Sequence, residues 1–102
     1  MARKQLYAEQ KWSRLVKDRA GRVCQFCGPS DRLESHHIIP ASVDPSLLSA
    51  LSNGVCLCHY HHLAAHGGAY NRYKESGTVP QEDVESVTAF LAELRQTTTA
   101  EE

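Results

Sequence analysis

The heptapeptide Glu34-Ser-His-His-Ile-Ile-Pro40 sets the architecture that we expect for this chain. Its residue types favour a strand over residues 33–39, and Pro40 limits that strand because proline has no N–H to donate to a neighbour. Successive residues of a strand point to opposite faces of the sheet. His36 and His37 therefore cannot both bind one metal ion from a regular strand. One is expected to be a ligand and the other a base beside it.

Cysteine and histidine are concentrated around this heptapeptide. The chain has 102 residues, enough for one small domain (residues 1–102), and its four cysteines and six histidines all lie between Cys24 and His66. A domain of this size has a thin core that a bound metal can stabilise. No apolar targeting segment follows the N-terminus, so a cytoplasmic location is expected. In that setting Cys-x2-Cys indicates metal binding rather than the alternative, a single disulfide plus free thiols.

The N-terminal segment is predicted to be a basic helix over residues 3–20. Trp12 is expected to anchor it to the domain, and Gly21 is expected to end it. Residues 1–22 hold seven basic side chains against two acidic ones, which suits a phosphate backbone as partner and equally suits a solvated helix face. The candidate DNA-binding residues are Arg3, Lys4, Lys11, Arg14 and Lys17.

The rest of the chain is predicted to alternate between short strands and helices. The Asn53-Gly54 pair predicts a turn, and residues 75–102, with seven acidic side chains and one basic, are expected to face away from nucleic acid. The predicted elements are a short strand entering a tight turn at Val23–Gly28, a second strand at Val55–Cys58, a helix at His59–Tyr73, a capping box at Thr78 and Gln81, and an acidic helix at residues 79–96.

The thiol and imidazole groups are too numerous for one tetrahedral centre, and they divide into two predicted metal sites. The first combines two pairs of equal spacing, Cys24-x2-Cys27 and Cys58-x2-His61. Four such ligands saturate a tetrahedral zinc ion, so the site would be structural.

Cys56 has the same spacing to His59 as Cys58 has to His61, so spacing leaves two assignments open. We favour Cys58 as the ligand, because Val55 and Leu57 would then take the buried face of the strand. Cys56 would in that case be a small buried apolar residue.

The second predicted site uses His36 with His62 and His66, which are four residues apart and so share a helix face. Three imidazoles leave coordination positions open for water and substrate, as a catalytic metal requires. Imidazole ligands favour Ni²⁺ or Zn²⁺ over Mg²⁺.

Residues 23–66 resemble the HNH endonucleases. The resemblance is carried by Cys24-x2-Cys27, Glu34-x-His36-His37-Ile-x-Pro40, Asn53-x3-Leu57-Cys58-x2-His61-His62 and His66. It departs from the zinc-stapled members in one place, since His61 stands where those usually carry a fourth cysteine.

The resemblance implies an α+β fold: a small ββα-metal (His-Me finger) core over about residues 23–73, with a structural zinc and flanking N- and C-terminal helices. It implies His37, Asn53 and His62 as the catalytic residues, with His37 as general base and Asn53 orienting His37 or holding the loop between the strands. Glu34 is expected to brace a nearby basic residue. Mg²⁺ and Mn²⁺ join Ni²⁺ and Zn²⁺ as candidate catalytic ions, because family members often use them.

The expected function is therefore metal-dependent hydrolysis of DNA phosphodiester bonds, by nicking or by double-strand cutting. The alternative is a non-catalytic zinc module that binds nucleic acid or a protein partner. Small HNH proteins of this layout are common in phages beside packaging genes, so the resemblance also suggests a terminase or packaging partner.

Overall fold

A computed structural model describes residues 3–66 and 79–97, with side chains from 8 to 66 and from 79 to 96. The described part of the chain forms a small α+β domain with a two-stranded antiparallel sheet and three α-helices. The elements are α1 (Arg3–Arg19), β1 (Leu33–His37), two 3₁₀ turns (Pro45–Leu47 and Leu51–Asn53), β2 (Gly54–Cys58), α2 (His59–Ala65) and α3 (Gln81–Thr97). None of the described helices combines the length and apolarity needed to cross a lipid bilayer.

The strands pair so that each face of the sheet has its own set of side chains. Leu33 lies opposite Cys58 and His37 opposite Gly54. The predicted strand over residues 33–39 is two residues too long, because the backbone N–H groups of Ile38 and Ile39 bond to the backbone and side chain of Asn53 instead of to a partner strand.

Helix α1 covers one face of the sheet through Trp12 and Val16, which pack with Cys56 in a buried cluster. The Trp12 indole donates to the carbonyl of Ala50 at 2.8 Å, so Trp12 anchors the helix as predicted. Leu15, one position before Val16, is 42% exposed. The helix ends before Gly21, whose φ of 71° is a left-handed conformation that glycine adopts without a steric penalty.

The opposite face of the sheet is covered by α2 and α3. Val55 and Leu57 are fully buried there, and Phe90, Leu91 and Leu94 of α3 pack against their cluster. All five residues of β2 are consequently buried, so this strand is the centre of the domain although it pairs with a single strand among the described residues.

Two local predictions hold only in part. The tight turn predicted within Val23–Gly28 is confirmed: a bridge between Cys24 and Gly28 closes it, with Gly28 at φ 100°, but the segment contains no strand. The turn predicted at Asn53-Gly54 is a 3₁₀ turn that ends at Asn53, and Gly54, at φ −115°, begins β2.

Gly54 is needed for space rather than for an unusual φ. A Cβ at this position would lie 2.2 Å from Cγ2 of Val16 and 3.0 Å from the Trp12 ring. Glycine here therefore lets α1 lie close against the sheet.

Some predictions fall on residues that the structure does not describe. They are the continuation of α2 to Tyr73, the part of the core at residues 67–73, the cap at Thr78 and the side chains of Arg3 and Lys4. Of the remaining candidate DNA-binding residues, Lys11 and Arg14 are exposed and Lys17 is half-buried on α1.

Candidate metal centres and active site

The structure brings the first predicted ligand set together. The donor atoms of Cys24, Cys27, Cys58 and His61 lie within 4.8 Å of one another. Two thiolates bound to a tetrahedral zinc at 2.3 Å are roughly 3.8 Å apart, and the sulfurs of Cys27 and Cys58 are 3.8 Å apart. This Cys3His cluster could therefore hold a metal ion such as zinc.

The thiols of the cluster affect one another's protonation. Loss of hydration and hydrogen bonds with the thiols of Cys24 and Cys58 raise the pKa of Cys27 to about 12. Three thiolates cannot accumulate here unless a positive charge offsets their repulsion, and a coordinated dication supplies that charge.

Gln25 explains why Cys58, and not Cys56, belongs to the cluster. The N–H of Gln25 donates to the Cys56 carbonyl at 2.8 Å, and the Gln25 side-chain oxygen accepts from the Cys56 N–H at 2.9 Å. These bonds dock the turn onto β2 while the Cys56 side chain packs against α1. His59, the alternative partner of Cys56, instead contacts Glu34 through Nδ1 at 2.9 Å.

The second predicted set, His36, His62 and His66, also converges, with all three donor atoms within 4.8 Å. The Nε2 atoms of His62 and His66 are 3.1 Å apart. Two imidazoles on one tetrahedral ion at 2.0–2.1 Å would place their nitrogens roughly 3.3 Å apart. Burial, reinforced by the charges of His62, His66 and His37, lowers the pKa of His36 to about 3. His36 is thus neutral at neutral pH, which is the form that binds metals.

Glu34 fixes the orientation of this cluster. Its carboxylate accepts from Nδ1 of His62 at 2.5 Å, and its second oxygen contacts Nδ1 of His59. Burial alone would raise the pKa of Glu34, but the hydrogen bonds from His62 and His59 outweigh it and the pKa lies below its usual range. The basic residues that Glu34 was expected to brace are therefore His59 and His62. With Nδ1 of His62 held by Glu34, its Nε2 is directed toward His66.

His37 stands outside the metal cluster, on the α1 face of the sheet. Its ring stacks on Trp12 with centroids 4.0 Å apart and planes within 4°. Its Nε2 lies 2.8 Å from the carbonyl oxygen of Leu48. A carbonyl only accepts hydrogen bonds, so Nε2 carries the proton and Nδ1 of the neutral ring is left as a proton acceptor.

Asn53 holds the loop that supplies this carbonyl. It is fully buried, its amide N–H₂ donates to the carbonyls of Ile39 and Leu47 at 3.0 and 3.1 Å, and its oxygen accepts from the Ile39 N–H at 2.8 Å. Of the two roles suggested for Asn53, these contacts correspond to the loop-holding one.

The three clustered histidines and His37 all line one open cavity of about 290 Å³. It is lined by Ser35, His36, His37, Pro40, Ala41, His62 and His66. An ion held by the three imidazoles and a water activated by His37 would thus share a single solvent-accessible space.

Sequence reasoning missed three contributors to these sites. Gln25 docks the zinc turn, Trp12 stacks on His37, and one face of α3 lies beside the imidazole cluster, where Arg95 lines an adjoining cavity. The acidic C-terminal segment is therefore not wholly remote from the site. The sequence predicted this helix but not which of its faces would lie beside the histidines.

The chain matches no protein-family model, no curated protein and no solved structure.

Proposed function

We propose that this protein is a metal-dependent endonuclease of the HNH type that hydrolyses DNA phosphodiester bonds. The order β1, β2, α2 and the positions of His37, Asn53 and His62 support a ββα-metal core. The observation that carries the proposal is His37, held as one tautomer beside three convergent imidazoles that line the same cavity.

In this proposal the protein prepares a water for attack. Nδ1 of His37 takes a proton from the water while Nε2–H stays bonded to the Leu48 carbonyl, which stabilises the imidazolium as it forms. The water oxygen forms a bond to phosphorus, the bond from phosphorus to the 3′ oxygen breaks, and solvent protonates the leaving oxygen. The products are a 5′-phosphate and a 3′-hydroxyl.

His36, His62 and His66 would hold the divalent ion. When bound, it stabilises negative charge on the phosphoryl group and on the leaving oxygen. The protein contributes the alignment of its ligands, because Glu34 fixes His62 and burial keeps His36 neutral. Carboxylates that orient ligand imidazoles typically strengthen metal binding.

Trp12 positions the general base His37 in addition to packing in the core. Its stacked ring limits the tilt of His37, so Nδ1 keeps one direction relative to the imidazole cluster. Preorganised geometry of this kind lowers the barrier because less reorientation is needed during reaction.

The test is cleavage of supercoiled plasmid by the wild type and by His37→Ala in Mg²⁺, Mn²⁺, Ni²⁺ and Zn²⁺. We expect nicked or linear product from the wild type with at least one metal, and at least a hundredfold slower cleavage by the variant, since general-base catalysis contributes roughly 10²–10⁴-fold. Leu51→Ser, at an exposed position, is the control and should cleave at the wild-type rate.

Equal cleavage by His37→Ala would remove this residue from the role of base. DNA binding without cleavage by the wild type in every metal would favour the non-catalytic zinc module.

A further inference from the structure

A second cavity of about 340 Å³ adjoins the site just described. The two cavities share His36, His37, Pro40 and His66 as walls. The second one extends from the imidazole cluster toward α3. Its volume is at the lower end of the range for ligand-binding clefts, roughly 300–1,000 Å³.

Helix α3 presents a single stripe of side chains to this cavity. The stripe has the spacing i, i+3, i+4, i+7, which places its members on one face of a helix. It consists of Thr88, Leu91, Ala92 and Arg95.

This stripe differs chemically from the rest of α3. Thr88 and Arg95 offer a hydroxyl and a guanidinium, while Leu91 and Ala92, with Ile38 across the cavity, give an apolar floor. Arg95 is the basic residue of the last turn, and none of the acidic residues of α3 lines the cavity. Glu93, two positions before Arg95, lies about 200° away around the helix.

The chemistry of this cavity matches that of one nucleotide. It combines an anion-binding group with an apolar floor, and it is continuous with the proposed site of phosphodiester hydrolysis. A guanidinium binds phosphate oxygens through paired N–H donors. The floor provides an apolar surface for a sugar or a base.

We propose that this cavity holds the nucleotide next to the scissile bond and that Arg95 binds the phosphate of that nucleotide. The proposal rests on the nuclease function above, since it takes the imidazole cluster as the place of cleavage. It makes Arg95 a substrate-binding residue that sets the path of one DNA strand between β1 and α3. An arginine in the last turn would otherwise act only on the helix dipole.

The test is the salt dependence of DNA binding by Arg95→Ala in the His37→Ala background, which prevents cleavage during the measurement. Affinity for a fluorescently labelled DNA duplex is measured by anisotropy at several salt concentrations. Each phosphate contact contributes a slope of about −0.9 to log K against log salt concentration. We expect Arg95→Ala to reduce the slope by about one and Arg95→Lys to retain it, because lysine keeps the charge.

Gln96→Glu is the matched control. Gln96 is exposed and adjacent in sequence, and the substitution lowers net charge by the same amount without removing Arg95. An unchanged slope in Arg95→Ala, an equal loss in Gln96→Glu, or no DNA binding by the parent would overturn the proposal. Failure of the nuclease function would show separately, as wild-type protein that binds DNA with the Arg95-dependent slope but never cuts it.

Discussion

At the scale of single residues, the site depends on hydrogen-bond acceptors that fix the tautomers of two histidines. The Leu48 carbonyl accepts from Nε2–H of His37 and the Glu34 carboxylate accepts from Nδ1–H of His62, so each determines which ring nitrogen carries the proton. The nitrogens differ between the two residues. His37 presents Nδ1 from the α1 face of the sheet, and His62 presents Nε2 from α2 on the opposite side.

Glu34→Gln should weaken metal binding at the imidazole cluster by about 10–100-fold, the usual effect of losing a carboxylate that orients a ligand imidazole. Glutamine keeps the shape, but it has one acceptor oxygen, whereas the carboxylate offers separate oxygens to His62 and His59. Isothermal titration with Ni²⁺ measures the affinity. Glu93→Gln, on the surface of α3, is the charge-matched control. Undiminished affinity in Glu34→Gln would show that His62 needs no such partner.

At the scale of elements, the close approach of α1 to the sheet positions His37. Trp12 reaches His37 because Gly54, directly opposite in β2, leaves room for the helix. Two serines reinforce the contact, as Ser13 donates to the hydroxyl of Ser35 and Ser35 donates to the Ser13 carbonyl, both at 2.9 Å. The helix is therefore part of the site, although the sequence indicated only a basic helix anchored to the domain by Trp12.

Gly54→Ala should destabilise the domain by about 1–3 kcal/mol, the typical effect of overpacking. The backbone of Gly54 suits alanine, so the loss would come from the 2.2 Å contact with Val16. Urea unfolding measures it. Val16→Ala removes the obstructing methyl groups, so the double variant should lose less stability than the two single losses added together. Strict additivity would contradict the steric explanation.

The sequence predicted the groups of metal ligands, because ligand spacing constrains which residues can meet. It did not predict the contacts that depend on how distant elements pack together. Spacing grouped Cys24, Cys27, Cys58 and His61, and it grouped His36, His62 and His66, as the structure does. Spacing could not separate Cys56 from Cys58, because that choice depends on how Gln25 docks the turn.

The role of Gly54 was misread for a similar reason. An Asn-Gly pair is a local turn signal, and the crowding by α1 that requires glycine comes from residues more than thirty positions away. The stripe of α3 that faces the histidines was likewise invisible, since only tertiary packing orients a helix around its axis.

At the scale of the whole molecule, the small hydrophobic core lies on both faces of β2, and the Cys3His cluster links the elements around it. That cluster links the turn at Cys24 to β2 and the start of α2, and Phe26 extends the link by packing edge-on against His61 and against Phe90 of α3. Zinc binding would thus contribute directly to folding.

Cys58→Ala and Cys56→Ala, two positions apart on one strand, separate metal binding from packing. Cys58→Ala should lose the structural metal and its cooperative thermal transition, because the folding energy supplied by the ion is lost. Cys56→Ala should keep the metal and lose about 1 kcal/mol through reduced packing against α1. Metal content by plasma mass spectrometry and thermal unfolding by circular dichroism measure both. Loss of the ion in Cys56→Ala instead would reverse the assignment of the ligand.

Selective metal removal tests most directly whether the Cys3His cluster stabilises the fold while the imidazole cluster supports cleavage. A mild chelator should extract the ion of the imidazole cluster, which has three protein ligands and opens onto a cavity, before that of the Cys3His cluster, whose four ligands saturate a tetrahedral ion. The partly stripped protein should keep its Tm and lose plasmid cleavage, and added Mn²⁺ or Ni²⁺ should restore cleavage. Cleavage that persists with only the Cys3His ion bound, or that disappears only as the domain unfolds, would contradict the account.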